Sequence, residues 1–131
     1  MSRRGEIEEL AVPSRPVLSH SADAVRAAGL LFVAGILPAD ASGKLVGGDD
    51  VVAQAEHVFG ELGTILEAGG AGFGDVVKVS VFLTDVRERP LVNPVRQRVF
   101  GAARPASTLV EVSALAVPGA RIEVDAVAVV P

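Results

Sequence analysis

Glu123 and Asp125 stand two residues apart in an alternating apolar stretch, residues 121–129, so an extended backbone puts both carboxylates on one face. A carboxylate there is either an exposed acid on a wetted strand or, with partial burial raising its pKa, a group that orients or deprotonates a water. Ser107 and Thr108 open another alternating run and could donate hydrogen bonds to a neutral ligand, although hydroxyls at strand starts also satisfy local backbone groups. Gly35 fits either a ligand approaching the main chain or a strand-end bulge. Asn93 before Pro94 reads as a helix cap followed by the first helical residue. The chain has no cysteine, which removes thiol catalysis, disulfides and Cys-ligated zinc, and two histidines, His20 and His57, are too few for a His-rich metal site. His57 lies one turn before Glu61 and reads as half of a charge pair, while His20 reads as a turn residue. Arg87, Arg89, Arg96, Arg98 and Arg104 form a basic run opposed only by Glu88. With Phe100 its only ring, the run lacks the aromatic interleaving that stacks bases, and it reads as a solvated helix face with ion pairs.

The elements that must hold these residues follow from periodicity. Residues 23–27 and 30–34 alternate as two strands joined at Ala28-Gly29, and a polar turn region covers 38–50. Val51, Val52, Ala55, Val58, Phe59, Leu62, Ile65 and Leu66 make one helical stripe, with Gln54, Glu56, His57, Glu61 and Glu67 opposite. Asp49 or Asp50 can cap that helix and Gly69-Gly70 can end it. Val77, Val79, Val81 and Leu83 alternate with Lys78, Ser80, Phe82 and Thr84 in a third strand. A second helix over 91–100 and strands over 107–112 and 121–129 complete the order β-β-α-β-α-β-β. That order predicts a single α+β domain over 1–131, two helices on one face of a mixed sheet, with a polar leader over 1–16. The sheet's other face should carry Lys78, Ser80, Phe82, Ser107, Leu109, Glu111, Glu123, Asp125, Val127 and Val129. Such a face is too apolar for water and too charged for a core, which points to contact with further subunits and to small-molecule clefts between them.

Composition bounds the function classes. At 131 residues the chain should bury roughly two-thirds of its unfolded surface, enough for a core without disulfides or structural metal. Twelve basic against 16 acidic residues give a net charge of −4, which offers no overall attraction to nucleic acid or to an anionic membrane. The charged start has no apolar run behind it, and the apolar stretch 27–39 is broken by Gly29, Gly35 and Pro38. A cytoplasmic protein is expected.

Several segments occur together: Leu31-Phe-Val-Ala-Gly-Ile-Leu-Pro, Ala53-Gln-Ala, Gly74-Asp-Val-Val-Lys-Val-Ser-Val-Phe-Leu-Thr-Asp, Val92-Asn, Arg104-Pro-Ala-Ser-Thr-Leu-Val-Glu-Val and Ile122-Glu-Val-Asp-Ala-Val-Ala-Val. In this order, over roughly residues 17–130, they resemble the Rid family, also called the YjgF family. The resemblance implies a chorismate-mutase-like fold and a homotrimer with ligand clefts between neighbouring subunits. It also implies hydrolysis of reactive enamines and imines to ketones and ammonia, with no cofactor. The family's water-positioning glutamate matches Glu123. Its carboxylate-clamping arginine, in a Pro-Ala-Arg-Ser motif, is replaced by Ser107 of Pro105-Ala106-Ser107-Thr108, and Arg104 stands at an odd offset that points it to the opposite face. The family's first-strand tyrosine is absent, with Ser21 the nearest match, and His20 beside it could supply a proton-transfer group. Asn93 falls near the family's cleft, and Ala34 and Ile36 flank the retained Gly35. The expectation is a hydrolase of an enamine- or imine-type metabolite that is not a simple 2-imino acid. Glu123 would be catalytic, with Ser107, Thr108, Asn93, Gly35, Ser21 and His20 lining the cleft. A non-catalytic, chaperone-like trimer is the rival, and an endoribonuclease ranks last.

Overall fold

The computed structural model describes residues 2–15 and 18–131. Met1, Pro16, where the leader was expected to end, and Val17, where the resemblance begins, lie outside the described residues. The strands are β1 (Glu8–Leu10), β2 (Ala24–Ala27), β3 (Leu30–Ile36), β4 (Val76–Leu83), β5 (Ala106–Glu111) and β6 (Ile122–Val129), and the helices are α1 (Val51–Ala68) and α2 (Arg89–Phe100). They form one six-stranded sheet in the order β1-β2-β3-β6-β4-β5. Every neighbouring pair is antiparallel except β4 and β5, which run parallel because α2 carries the chain back between them. The expected arrangement of two helices on a mixed sheet is therefore present, with one strand more. Glu8–Leu10, inside the stretch read as leader, pairs with β2, where Leu10 packs against the core and Glu8 meets Arg26 at 2.5 Å.

Local chemistry explains each boundary. Ala28 and Gly29 both take positive φ, the two-residue turn whose twist matches a hairpin. Asp50 caps α1, its side chain accepting from the Val52 and Ala53 N–H groups at 2.9 and 3.3 Å. Gly70, at φ +85°, closes the other end, with the Ala71 N–H bonded to Leu66 O and the Gly70 N–H to Glu67 O. Phe59, Leu62, Ile65 and Leu66 of α1 are buried against Leu31, Ile36, Val79, Val81, Leu83, Ile122 and Val124 of the sheet. Val92, Val95 and Phe100 bring α2 onto the same layer, Phe100 meeting Phe59 edge to face at 6.2 Å.

Five readings of the sequence need correction. Gln54, placed on the polar side of α1, is fully buried: its Nε2 donates to Gly48 O and Gly119 O, and its Oε1 accepts from the Arg121 N–H at 2.7 Å. The amide satisfies loop backbone that no strand reaches, which is why a polar side chain lies in the core. His57 pairs not with Glu61 but with the Ala39 carbonyl, at 3.0 Å, and Glu61 instead holds Arg15. Val77 is 45% exposed because a register shift between Val76 and Lys78 turns it outward and gives Val76 the buried place. Helix α2 begins at Arg89, with Pro90 in the first turn where its missing N–H costs nothing. Asn93 is thus an interior helical residue rather than a cap, and Pro94 lies inside the helix.

The fifth correction bears on the site. Parallel pairing sets Ser107, Leu109 and Glu111 beside Val79, Val81 and Leu83, on the helix-covered face, and Thr108 and Val110 beside Ser80 and Phe82 on the open one. Ser107, Leu109 and Glu111 therefore do not share a face with Glu123 and Asp125, which pair with Phe82 and Ser80. Leu109 accordingly packs on the core while Val110 is exposed. Among the described residues no helix is long and apolar enough to cross a membrane.

Candidate functional site

Glu123 projects from the middle of the open sheet face, half-buried, and is reached by no hydrogen-bond donor among the described residues. Burial pushes its carboxyl above the ordinary glutamate range, and the neighbouring Asp125 charge pushes it further. Gly35 explains how a carboxylate comes to lie there. In β3 the register slips between Val33, opposite Ala126, and Ile36, opposite Val124, so Ala34 and Gly35 bulge against a single residue of β6. A Cβ on Gly35 would collide with Glu123 Oε2 and come within 3.0 Å of its Cδ. Gly35 therefore sits in a bulge, one of its two sequence readings, and its bare backbone makes room for the Glu123 carboxylate. Ser21 shares a depression of about 320 Å³ with Gly35 and Ala34, its hydroxyl 3.1 Å from that of Ser19. His20 is exposed and lines a neighbouring depression with Arg4, Glu9 and Ser21. Thr108, also on the open face, accepts from Lys78 Nζ at 2.6 Å.

Ser107 and Asn93 belong to a different place. Arg89, Asn93, Arg96 and Gln97 follow the i, i+4, i+7, i+8 spacing of one helical stripe and line a depression of about 490 Å³ between α2 and β5, with Ser107 and Leu109 as its floor. Arg96 Nη2 donates to Ser107 Oγ at 2.7 Å. Desolvation lowers the pKa of the half-buried Arg96, and the like charge of Arg89 lowers it further, although a guanidinium stays protonated. Where the motif arginine is replaced by Ser107, a cation is nevertheless present: Arg96 reaches that position from the facing helix. The basic run divides accordingly. Arg87 is paired with Asp85 at 2.9 Å and Arg98 with Glu56 at 3.3 Å, whereas Arg89, Arg96 and Arg104 have no acidic partner among the described residues. A stripe of Arg, Asn and Arg on the helix of a β-α-β unit, facing the small residues that open its second strand, was the available signal for Arg96.

Five of the seven expected site residues therefore fall into two groups: Glu123, Gly35 and Thr108 lie on the open face, and Asn93 and Ser107 on the helix side of the edge strand. Ser21 lies in the depression beside Gly35, and His20 lines the one next to it. Strands β5 and β6 are separated by β4, roughly 10 Å of lateral distance, with the sheet itself between the groups. One small ligand cannot touch both within one chain.

The order of strands and helices is that of a chorismate-mutase-like domain. Residues 13–130 match the family described as Endoribonuclease L-PSP, and the chain belongs to this family, the Rid or YjgF family. Among curated relatives, the protein DfrA of Myxococcus xanthus is 44% identical over 106 residues, 80% of this chain and 79% of its own length. A 2-iminobutanoate/2-iminopropanoate deaminase of Capra hircus is 39% identical over 100 residues, 76% of this chain and 72% of its own length. The crystal structure of RidA from an Antarctic Psychrobacter superposes with a TM-score of 0.86 at 29% identity, covering 94% of this chain and 99% of that one. Relatives of this chain thus include imine deaminases, and a deaminase-type function is the general expectation for it.

Proposed function

We propose that the chain is a cytoplasmic, homotrimeric hydrolase of reactive enamine- or imine-type metabolites, with its cleft between subunits. The observation that carries the reading is the division of the site: a half-buried carboxylate on one sheet face and a polar, cationic depression beyond the edge strand, which only a second copy can bring to one ligand. The named activity of the goat relative supports the chemistry.

An enamine first tautomerises to its imine. Water then adds to the C=N carbon, the carbinolamine collapses, and ketone and ammonia leave, so one water is consumed for each ammonia released. Glu123 of one copy holds the water, takes its proton during attack and returns it to the departing nitrogen. A carboxyl raised above its usual range serves both steps better near neutral pH than an ordinary glutamate. The imine is already electrophilic, so orientation of the water does most of what is required. The test is ammonia release from imines generated in situ, together with the solution mass. A trimer with turnover that falls roughly 10²- to 10⁴-fold in Glu123→Gln is expected. A monomeric mass, or unchanged turnover in the folded variant, would overturn the reading, and ligand binding without ammonia release would leave a non-catalytic trimer.

A further inference from the structure

We infer that Arg96, with Arg89, forms an anion subsite for a ligand carboxylate, a guanidinium clamp built on α2 and resting on Ser107. The inference deepens the proposed function, because it gives the imine- or enamine-type ligand an acidic group and reverses the expectation that simple imino acids are avoided. Its basis is geometric. Two guanidinium groups one helical stripe apart line one depression, and none of the side chains lining it is acidic. Arg96 is half-buried yet its single side-chain hydrogen-bond partner among the described residues is the neutral Ser107 hydroxyl, at 2.7 Å. That contact uses one N–H of Nη2 and fixes the plane of the guanidinium, which leaves further N–H groups to donate. A planar carboxylate accepts two parallel N–H groups from one guanidinium, and Asn93 and Gln97 add amide donors at the same wall.

The electrostatics agree with the geometry. Partial desolvation and repulsion between Arg89 and Arg96 are costs the folded chain carries without a counter-charge of its own. A bound anion relieves both. An arginine at position 107 would reach the depression from its floor, whereas Arg96 reaches it from the wall, so Ser107 is the small residue that lets the helix cation in. The cation at this place stands on the helix rather than on the strand.

The test uses equilibrium binding, independent of turnover. The probes are pyruvate, the methyl ester of pyruvate, which keeps the ketone and loses the charge, and inorganic phosphate. Wild type is expected to bind pyruvate at least about tenfold more tightly than the ester, the worth of one charge-assisted hydrogen bond. Arg96→Met should erase that preference, Arg89→Met should reduce it several-fold, and Arg96→Lys, which keeps charge without the fork, should retain part of it. Thermal melts check that each variant is folded. Equal binding of pyruvate and its ester, pyruvate binding unchanged in Arg96→Met, or tighter binding of phosphate than of pyruvate would each overturn the subsite. Arg96-dependent pyruvate binding with no ammonia released from any imine would sustain the subsite while defeating the hydrolase. Imino-acid turnover that is indifferent to Arg96→Met would do the reverse.

Discussion

Arg15 and Arg96 are both drawn partly out of water, and their surroundings could hardly differ more. The Arg15 side chain is 7% exposed and lies between two acids, 3.0 Å from Glu61 Oε2 on α1 and 3.6 Å from Asp23 Oδ1 just before β2. Asp23 also accepts the Val12 N–H at 2.7 Å, so the cluster ties the N-terminal segment to both a helix and the sheet. Arg96 is half-buried and, among the described residues, hydrogen-bonds only a side-chain hydroxyl, with a second arginine nearby. A buried cation whose charge is cancelled within the chain has its function inside the fold. One whose charge is left open has a use that the fold alone does not satisfy.

The largest effect should come from breaking the first of these. Arg15→Met leaves Asp23 and Glu61 without their counter-ion, and breaking one side of a buried pair typically costs about 3–5 kcal/mol. Arg96→Met, which removes no intramolecular ion pair, should change stability by about 0.5 kcal/mol or less. Urea unfolding of both variants checks the contrast, and equal losses would dissolve it. Gln54 offers an intermediate case with the same logic. Gln54→Leu deprives the Arg121 N–H of its acceptor and two loop carbonyls of their donor, and should cost about 1–3 kcal/mol by the same measurement.

The pH dependence sharpens the comparison on the acidic side. Glu123 is the carboxyl counterpart of Arg96, desolvated and beside a like charge. Its folded pKa lies above the unfolded one, so its contribution to stability is present below the ordinary glutamate pKa and is lost as pH rises through the raised value. Glu123→Gln should therefore unfold at higher urea than wild type near neutral pH, with the advantage vanishing in acid, even as turnover falls. As the base it must be ionised, so kcat/KM should rise with pH through that raised pKa. Asp125→Asn removes the like charge and should move the acid limb to lower pH. A limb that stays in place would remove Asp125 from the electrostatics of the site.

Much of this was legible in the residues. The α1 stripe, its aspartate cap and its Gly69-Gly70 end are local signals, and the structure chooses Asp50 from the two aspartates the sequence offers. The family resemblance likewise singled out Glu123 and Gly35, which do touch. What escaped reading was long-range. The helix-side placement of Ser107 depends on a parallel register with β4, and a shift of one residue reverses every side chain of a strand. Val77 was misplaced by a bulge, and Gln54 by backbone groups distant in sequence that needed an amide. The start of α2 differs for a nearer reason: Pro90 suits the first helical turn better than Pro94 does, because a proline there loses no hydrogen bond.

The smallest expected effect is the most discriminating, because it falls on the contact between the two elements rather than on either charge. Ser107→Ala removes the hydroxyl that accepts from Arg96 Nη2 but leaves the guanidinium and its charge in place. A freed N–H can turn to water or to the ligand, so stability should hardly change. The loss is in preorganisation: Arg96 must now be ordered by the ligand itself, which should weaken pyruvate binding about two- to fivefold, the equivalent of about 0.5–1 kcal/mol. Ser107→Arg makes the opposite error, placing a third guanidinium beside Arg96 and Arg89 in one depression. It should lower stability at low salt, recover as salt screens the repulsion, and improve pyruvate binding only when combined with Arg96→Ser, which restores a single cation at that place. Titrations of the two single variants and the double variant against pyruvate decide the matter. If Ser107→Arg alone tightened binding without loss of stability, the space beside Ser107 would not belong to Arg96, and the contrast between Arg15 and Arg96 would have to be drawn differently.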